Sequence, residues 1–129
     1  MGELLSTDEF ISRVDFSKLV DAETDTNLVP VLPVDVGRIM MLGFMNEEAL
    51  AKTIDTGMLT MWSRTRKGLW TKGEQSGNVA LVQRLILDCD DDTILAEVKM
   101  NGSPMCHTGA QTCFDGGYVI ELGVTDEFR

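Results

Sequence analysis

Asp88, Cys89, Asp90, Asp91 and Asp92 stand consecutively in the chain, and Cys106, His107 and Cys113 follow in the next stretch. These two segments hold all three cysteines and the single histidine of 129 residues. Carboxylates suit hard cations such as magnesium, and thiolates suit zinc. In an extended chain successive side chains point to opposite faces. Asp88, Asp90 and Asp92 are then expected on one face and Cys89 on the other, so one strand end would serve two metals. Three thiolates, from Cys89, Cys106 and Cys113, leave zinc one open position for water, as in catalytic zinc sites. With His107 as a fourth ligand the site would close into a structural clamp. Neighbouring side chains diverge, however, which favours three cysteines plus water, with His107 free to move protons.

Plainer roles fit each residue singly. An acidic run after a strand is commonly a solvated turn, and an isolated cysteine a small core residue. The concentration of every cysteine and histidine in two short segments is what favours a metal centre. A calcium helix–loop–helix site also opens on alternating aspartates but needs Gly sixth and Glu twelfth. Counted from Asp88, those positions hold Thr93 and Lys99, which excludes it.

The elements that must position these residues are legible around them. Leu81–Leu87 is an apolar, branched run that reads as a strand leading into the aspartates, and Thr93–Met100 as the strand leaving them, with Asp90 to Asp92 in the turn. Ser6-Thr7-Asp8-Glu9 is a capping-box signature for a short helix to about Val14. Asp21 to Asn27, polar and acidic, reads as a linker or turn. Leu28–Val34 is apolar but contains Pro30 and Pro33, which predicts an edge or bulged strand. Asp35–Arg38 is a turn and Ile39–Met45 the returning strand. Asn46 caps a second helix that Gly57 ends. Leu59–Ser63 reads as a strand, Asn101–Pro104 as a turn, Tyr118–Leu122 as a last strand, and the tail from Thr125 as loose. The sum is one α+β domain over residues 1–129, mainly antiparallel sheet with one or two short helices.

Composition sets outer bounds. The net charge is −10, which disfavours a general affinity for nucleic acid. No apolar run is long enough for a membrane span, and the N-terminus lacks the pattern of a secretion signal. An odd cysteine count suits reduced thiols and hence the cytoplasm. Against the acidic background, Arg64, Arg66, Lys67 and Lys72 cluster in a glycine-containing segment ending at Asn78. Basic side chains and the backbone amides around Gly73 to Gly77 offer a place for phosphate. On composition alone the segment is better read as a solvated basic loop. Trp62 and Trp70 have faces that could stack on a base, although at least one is expected in the core.

Several of these motifs, in order and at matching separations, resemble phosphoribosyl-AMP cyclohydrolase, an enzyme family of histidine biosynthesis. They are Leu42-Gly43-Phe44-Met45-Asn46, Trp62-Ser63-Arg64-Thr65-Arg66, Leu69 to Asn78, Asp88 to Asp92, and Cys106-His107-Thr108-Gly109 through Cys113-Phe114. The likeness spans residues 27–114. It implies a compact, intertwined homodimer with active sites at the interface. It also implies magnesium on Asp88, Asp90 and Asp92, and zinc on Cys89 of one subunit with Cys106 and Cys113 of the other. The implied reaction opens the adenine ring of 1-(5-phosphoribosyl)-AMP by hydrolysis of the N1–C6 bond with zinc-activated water. Many relatives carry a fused pyrophosphohydrolase domain, whereas this sequence stops at Arg129, so the stand-alone form is expected.

The residues make chemical sense of that reaction. Substitution at N1 leaves C6 electron-poor. Three thiolates donate more charge to zinc than histidines do, so a base such as His107 is useful. The two substrate phosphates would fall to Arg64, Arg66 and Lys72, with Gly73, Ser76, Gly77 and Asn78 nearby. Two other readings use the same residues. One is a non-catalytic module in which zinc ties two chains together. The other is nucleobase deamination, disfavoured because His107-Thr108-Gly109 lacks the glutamate of the usual His-x-Glu pattern.

Overall fold

A computed structural model describes residues 2–101 and 112–123. Helix α1, Thr7–Arg13, begins as its sequence predicts. Ser6 Oγ accepts from the Glu9 amide at 3.2 Å and Glu9 Oε1 accepts from the Ser6 amide at 3.1 Å, a complete capping box. The acidic stretch that follows is a small hairpin, β1 (Val20–Asp21) and β2 (Thr26–Asn27), and not a simple turn.

The main sheet is built on β3, Val29–Asp35. It pairs antiparallel with β4 (Arg38–Ile39) and β5 (Gly43–Met45) on one side, and parallel with β9 (Ile94–Met100) on the other. Strand β8, Ala80–Leu87, closes the far edge of β9 as an antiparallel hairpin. The pairing is mainly antiparallel, as the sequence predicts, and the one parallel pair among the described strands, β3 with β9, makes the sheet mixed. The prolines do not push β3 to an edge. Pro33 offers its carbonyl to the Met40 amide at 2.8 Å, in the gap between the β4 and β5 ladders. A strand residue presents N–H and C=O to the same side, so its missing N–H falls where no ladder partner stands. Pro30 faces the opposite side, one residue before the parallel pairing starts at Val31 with Ile94. Each proline thus occupies a place where a central strand has no bond to lose.

The two-residue connection from β3 to β4 is Val36-Gly37, with φ of 50° and 76°. Positive φ at both positions matches the right-handed twist of a hairpin but strains a β-branched residue. Val36 is 91% exposed and has no packing role to offset the strain. Val36→Asn is expected to stabilise the protein by about 1 kcal/mol. A thermal melt reads this as a rise of a few degrees.

Helix α2, Glu47–Thr56, runs between Asn46, whose side chain accepts from the Ala49 amide at 2.8 Å, and Gly57 at φ 76°. It buries Ala49, Leu50 and Thr53. The buried Thr53 hydroxyl accepts from the Thr60 amide at 2.9 Å and donates to the Ala49 carbonyl, locking the helix to β6, Thr60–Ser63. Strand β7, Gly68–Thr71, pairs with β6. Part of the segment read as a basic loop is thus a strand, and only its two ends are turns. Trp70 packs against the core, as expected for one of the two tryptophans. The core itself joins Val29, Val31, Met45, Leu50, Leu59, Met61, Ile94 and Ala96 from both sheets and α2. Tyr118–Leu122, read as a last strand, is not one. It pairs with no strand among the described residues, and Tyr118, Val119, Ile120 and Leu122 are exposed.

Candidate active site: an aspartate turn and a basic hairpin

The β8–β9 connection is a tight turn and not a continuation of the strand. Asp88 Oδ1 accepts from the amides of Asp92, at 3.0 Å, and Thr93, at 3.2 Å, while the Asp91 amide donates to the Asp88 carbonyl. Asp91 sits at φ 65°. The three aspartates are grouped as expected, but by the turn and not by strand alternation. Asp88, Asp90 and Asp92 do come together, with one ligand oxygen from each within 4.8 Å of the others, because the turn folds them inward. A magnesium ion at about 2.1 Å from each oxygen needs them at about 3–4 Å from one another, a small contraction. All-oxygen donors on an exposed, already ordered turn fit that ion.

The charges of the turn are already organised. Lys18 Nζ lies 3.0 Å from Asp92 Oδ2 and 3.4 Å from Asp90 Oδ2. Its donation holds Asp92 below the usual carboxylate range, and Asp92 in return raises Lys18. Asp90 lies above that range, chiefly because it shares a hydrogen bond with Asp92. The segment around Lys18 is tied to the turn again by the Asp15 amide on the Asp91 carbonyl, at 2.7 Å, and by Arg13 Nε on Asp91 Oδ1, at 3.4 Å. Residues 13–18 carry no motif that would place them here. Their link to the turn spans more than 70 positions and leaves no local pattern.

The soft ligands are placed differently. Cys89 is exposed in the aspartate turn. Cys113 is also exposed, and its amide donates to the Met40 carbonyl at 2.9 Å. Arg38 Nη2, 2.6 Å from Asp115 Oδ1, fixes the same segment beside β4. Met40 lies across from Pro33, toward the far end of β3 from the aspartate turn. The β8–β9 turn and Met40 stand on opposite flanks of β3 and toward its opposite ends, so the backbone points that carry the two thiols are on the order of 15 Å apart. That separation disfavours a single ion shared by one chain's Cys89 and Cys113. Cys106 and His107 lie outside the described residues, as do the expected turn from Gly102 and the tail from Thr125.

The basic segment divides in two. Arg64 stacks over the Phe44 ring, 4.1 Å from its centroid, at the β6–β7 tip, with exposed Arg66 in the same turn. Beside them a cavity of about 320 Å³ is lined by Leu19, Val20, Leu28, Phe44, Arg64 and Lys67. Lys67 is bound to Asp21 at 2.9 Å and to Glu23 at 3.1 Å, and it holds Asp21 below the usual carboxylate range. Trp62 Nε1 also reaches Asp21, at 3.5 Å. At the other end of β7, Lys72 is buried and its amide donates to the Leu59 carbonyl at 3.0 Å. Gly73 opens a closed loop there, with the Gly77 amide on the Gly73 carbonyl at 2.8 Å and the Asn78 amide on Ser76 Oγ at 3.2 Å. The length of β7 puts Arg64 and Lys72 roughly 15 Å apart.

A model of the phosphoribosyl-AMP cyclohydrolase family matches residues 41–115, which include β5 to β9, the aspartate turn and all three cysteines. The chain belongs to that family. A phosphoribosyl-AMP cyclohydrolase from Desulfatibacillum aliphaticivorans is 50% identical over 97 residues, covering 74% of this chain and 78% of that protein. One from Nitrosomonas eutropha is 44% identical over 110 residues, covering 84% and 80%. A histidine biosynthesis bifunctional protein from Vibrio parahaemolyticus is 48% identical over 102 residues, 78% of this chain and 48% of that longer protein. The chain spans about half the length of such bifunctional relatives. Among the described residues, no helix of this cyclohydrolase-family chain is long and apolar enough to cross a membrane.

Proposed function

We propose that this chain, as one domain over residues 1–129, catalyses the hydrolysis its family is named for. The substrate is 1-(5-phosphoribosyl)-AMP and the product the phosphoribosyl-formimino-aminoimidazole carboxamide ribonucleotide, the third step of L-histidine biosynthesis in the cytoplasm. The carrying observation is the family match over residues 41–115, whose span includes the converging aspartates.

Water oxygen bonds to C6 of the N1-substituted purine, the N1–C6 bond breaks, and N1 takes up a proton. C6 keeps the incoming oxygen and its exocyclic nitrogen as the carboxamide. Cys89 of one subunit with Cys106 and Cys113 of the other would hold zinc, which when bound would supply water acidic enough to react near neutral pH. His107 acts as general base for that proton and returns it at N1. Asp88, Asp90 and Asp92 would hold magnesium. Arg64 and Arg66 at one end of the β6–β7 hairpin, and Lys72 with Gly73, Ser76, Gly77 and Asn78 at the other, match a nucleotide with a phosphate at each end. Trp62, outside the core cluster, is the better stacking platform of the two tryptophans, since Trp70 is committed to the core.

Two observations favour a homodimer with shared sites. The exposed row Tyr118, Val119, Ile120 and Leu122 is apolar surface that water disfavours. The placement of Cys89 and Cys113 at different parts of the sheet supports a zinc site that takes a thiol from a second copy. The purified chain, given phosphoribosyl-AMP with zinc and magnesium, is expected to change the purine ultraviolet absorbance, and a chelator is expected to stop the change. An unchanged spectrum would overturn the assignment. Release of ammonia would point to deamination instead, and zinc-dependent dimerisation without turnover to a metal tether.

A further inference from the structure

Resting on the reading of Asp88, Asp90 and Asp92 as a magnesium site, we infer that Lys18 is a built-in counter-cation that the metal must displace, and that it sets the site's preference for divalent ions. Its ammonium bridges Asp92 Oδ2 at 3.0 Å and Asp90 Oδ2 at 3.4 Å, two of the three carboxylates that would ligate the ion. Three aspartates alone repel one another and draw in any cation. With Lys18 between two of them the local charge is closer to neutral, and the carboxylates stay gathered without metal. A monovalent ion offers no more charge than the ammonium it would replace. A divalent ion offers twice as much and takes the position, while Lys18 swings outward on its flexible stem.

The surrounding contacts make this a device and not a chance surface pair. The Asp15 amide on the Asp91 carbonyl, at 2.7 Å, fixes the backbone three residues before Lys18. Asp15 Oδ1 accepts from the Ser17 amide at 2.8 Å and from the Ser17 hydroxyl at 2.5 Å, which shapes the bend into Lys18. Arg13 neutralises Asp91, the one carboxylate of the turn outside the triad, at 3.4 Å. The N-terminal segment thus delivers one positive charge to the triad and a separate one to its neighbour.

The test uses the full chain and Mn²⁺ as a paramagnetic stand-in for Mg²⁺, with free ion measured by electron spin resonance and Asp90→Asn as the site-specific blank. Lys18→Met is expected to bind Mn²⁺ about tenfold more tightly, the effect of removing one unit charge a few ångströms away in a partly solvated site. Lys18→Arg is expected to stay within about twofold of wild type. Potassium chloride should weaken Mn²⁺ binding more in Lys18→Met than in wild type, because a bare triad accepts monovalent ions. Wild-type Mn²⁺ binding that Asp90→Asn removes but Lys18→Met leaves unchanged or weakens would overturn the role of Lys18 alone. Absence of any Asp90-dependent binding, in wild type and Lys18→Met alike, would overturn the metal site and the inference with it.

Discussion

A heterodimer made from one Cys89→Ser chain and one Cys113→Ser chain is expected to carry about half the turnover of the wild-type dimer, although each variant alone is inactive. The reason is bookkeeping by site. If Cys89 of one chain completes a zinc site with Cys106 and Cys113 of the other, each single variant spoils both sites of its own homodimer. In the mixed dimer both lesions fall in one site, and the second site draws an intact Cys89 from one chain and intact Cys106 and Cys113 from the other. Co-expression with two different tags and sequential purification yields the mixed species. Zinc content gives a readout that does not depend on catalysis: about one ion per mixed dimer against two for wild type. A site formed within one chain predicts an inactive, zinc-free mixture. The separation of Cys89 from Cys113 along the sheet already argues against that arrangement.

Gly73→Ala is expected to lower stability by about 3 kcal/mol and to raise KM sharply in the fraction that folds. Gly73 is buried at φ 82°, a conformation other residues rarely adopt. A Cβ there would overlap the carbonyl carbon and oxygen of Asn78 and the amide of Val79, all backbone atoms. Backbone cannot swing aside as a side-chain tip can, so the closed loop from Gly73 to Asn78 must open. That loop joins Lys72, whose amide is tied to Leu59, to β8, which leads to the aspartate turn. A melting temperature lower by roughly 10 °C and a higher KM with a smaller change in kcat are the expected signatures. Gly77→Ala is the matched control. Gly77 also has positive φ, at 81°, but nothing stands within 4 Å of an added Cβ, so its cost is confined to local strain.

What the sequence disclosed followed from local chemistry. Ser6 and Glu9, Asn46 and Gly57 mark helix ends because capping uses residues three or four apart, and the structure places both helices where those residues put them. The run into Asp88 and the run out of Thr93 declare a hairpin for the same reason. What stayed hidden depends on distant partners. The prolines of β3 argue against a central strand unless the gap between β4 and β5 is known. Strand β7 was obscured by flanking Arg and Lys, because Gly68–Thr71 earns its pairing from β6 and the core and not from its own pattern. At the candidate site the aspartate triad was legible and its geometry was not. An alternation rule for extended chain does not apply to a turn held by Asp88 accepting two amides. Lys18 was invisible because nothing near residue 18 points to residues 90 and 92.

The parallel pairing of β3 with β9 has a bearing on how the chain is made. Val31 waits for Ile94, about sixty residues downstream. During synthesis the N-terminal half can close its two helices and the β3–β5 turns soon after it emerges, since those contacts are local. The other flank of β3 stays bare until β9 has left the ribosome. For that interval an apolar strand, Val29 to Val34, is open to any nascent neighbour. On that flank Pro30 leaves a gap in the row of donors that a stray strand would need, so it guards the newborn chain against mispairing at little cost to the finished sheet, while the gap at Pro33 faces the β4–β5 side.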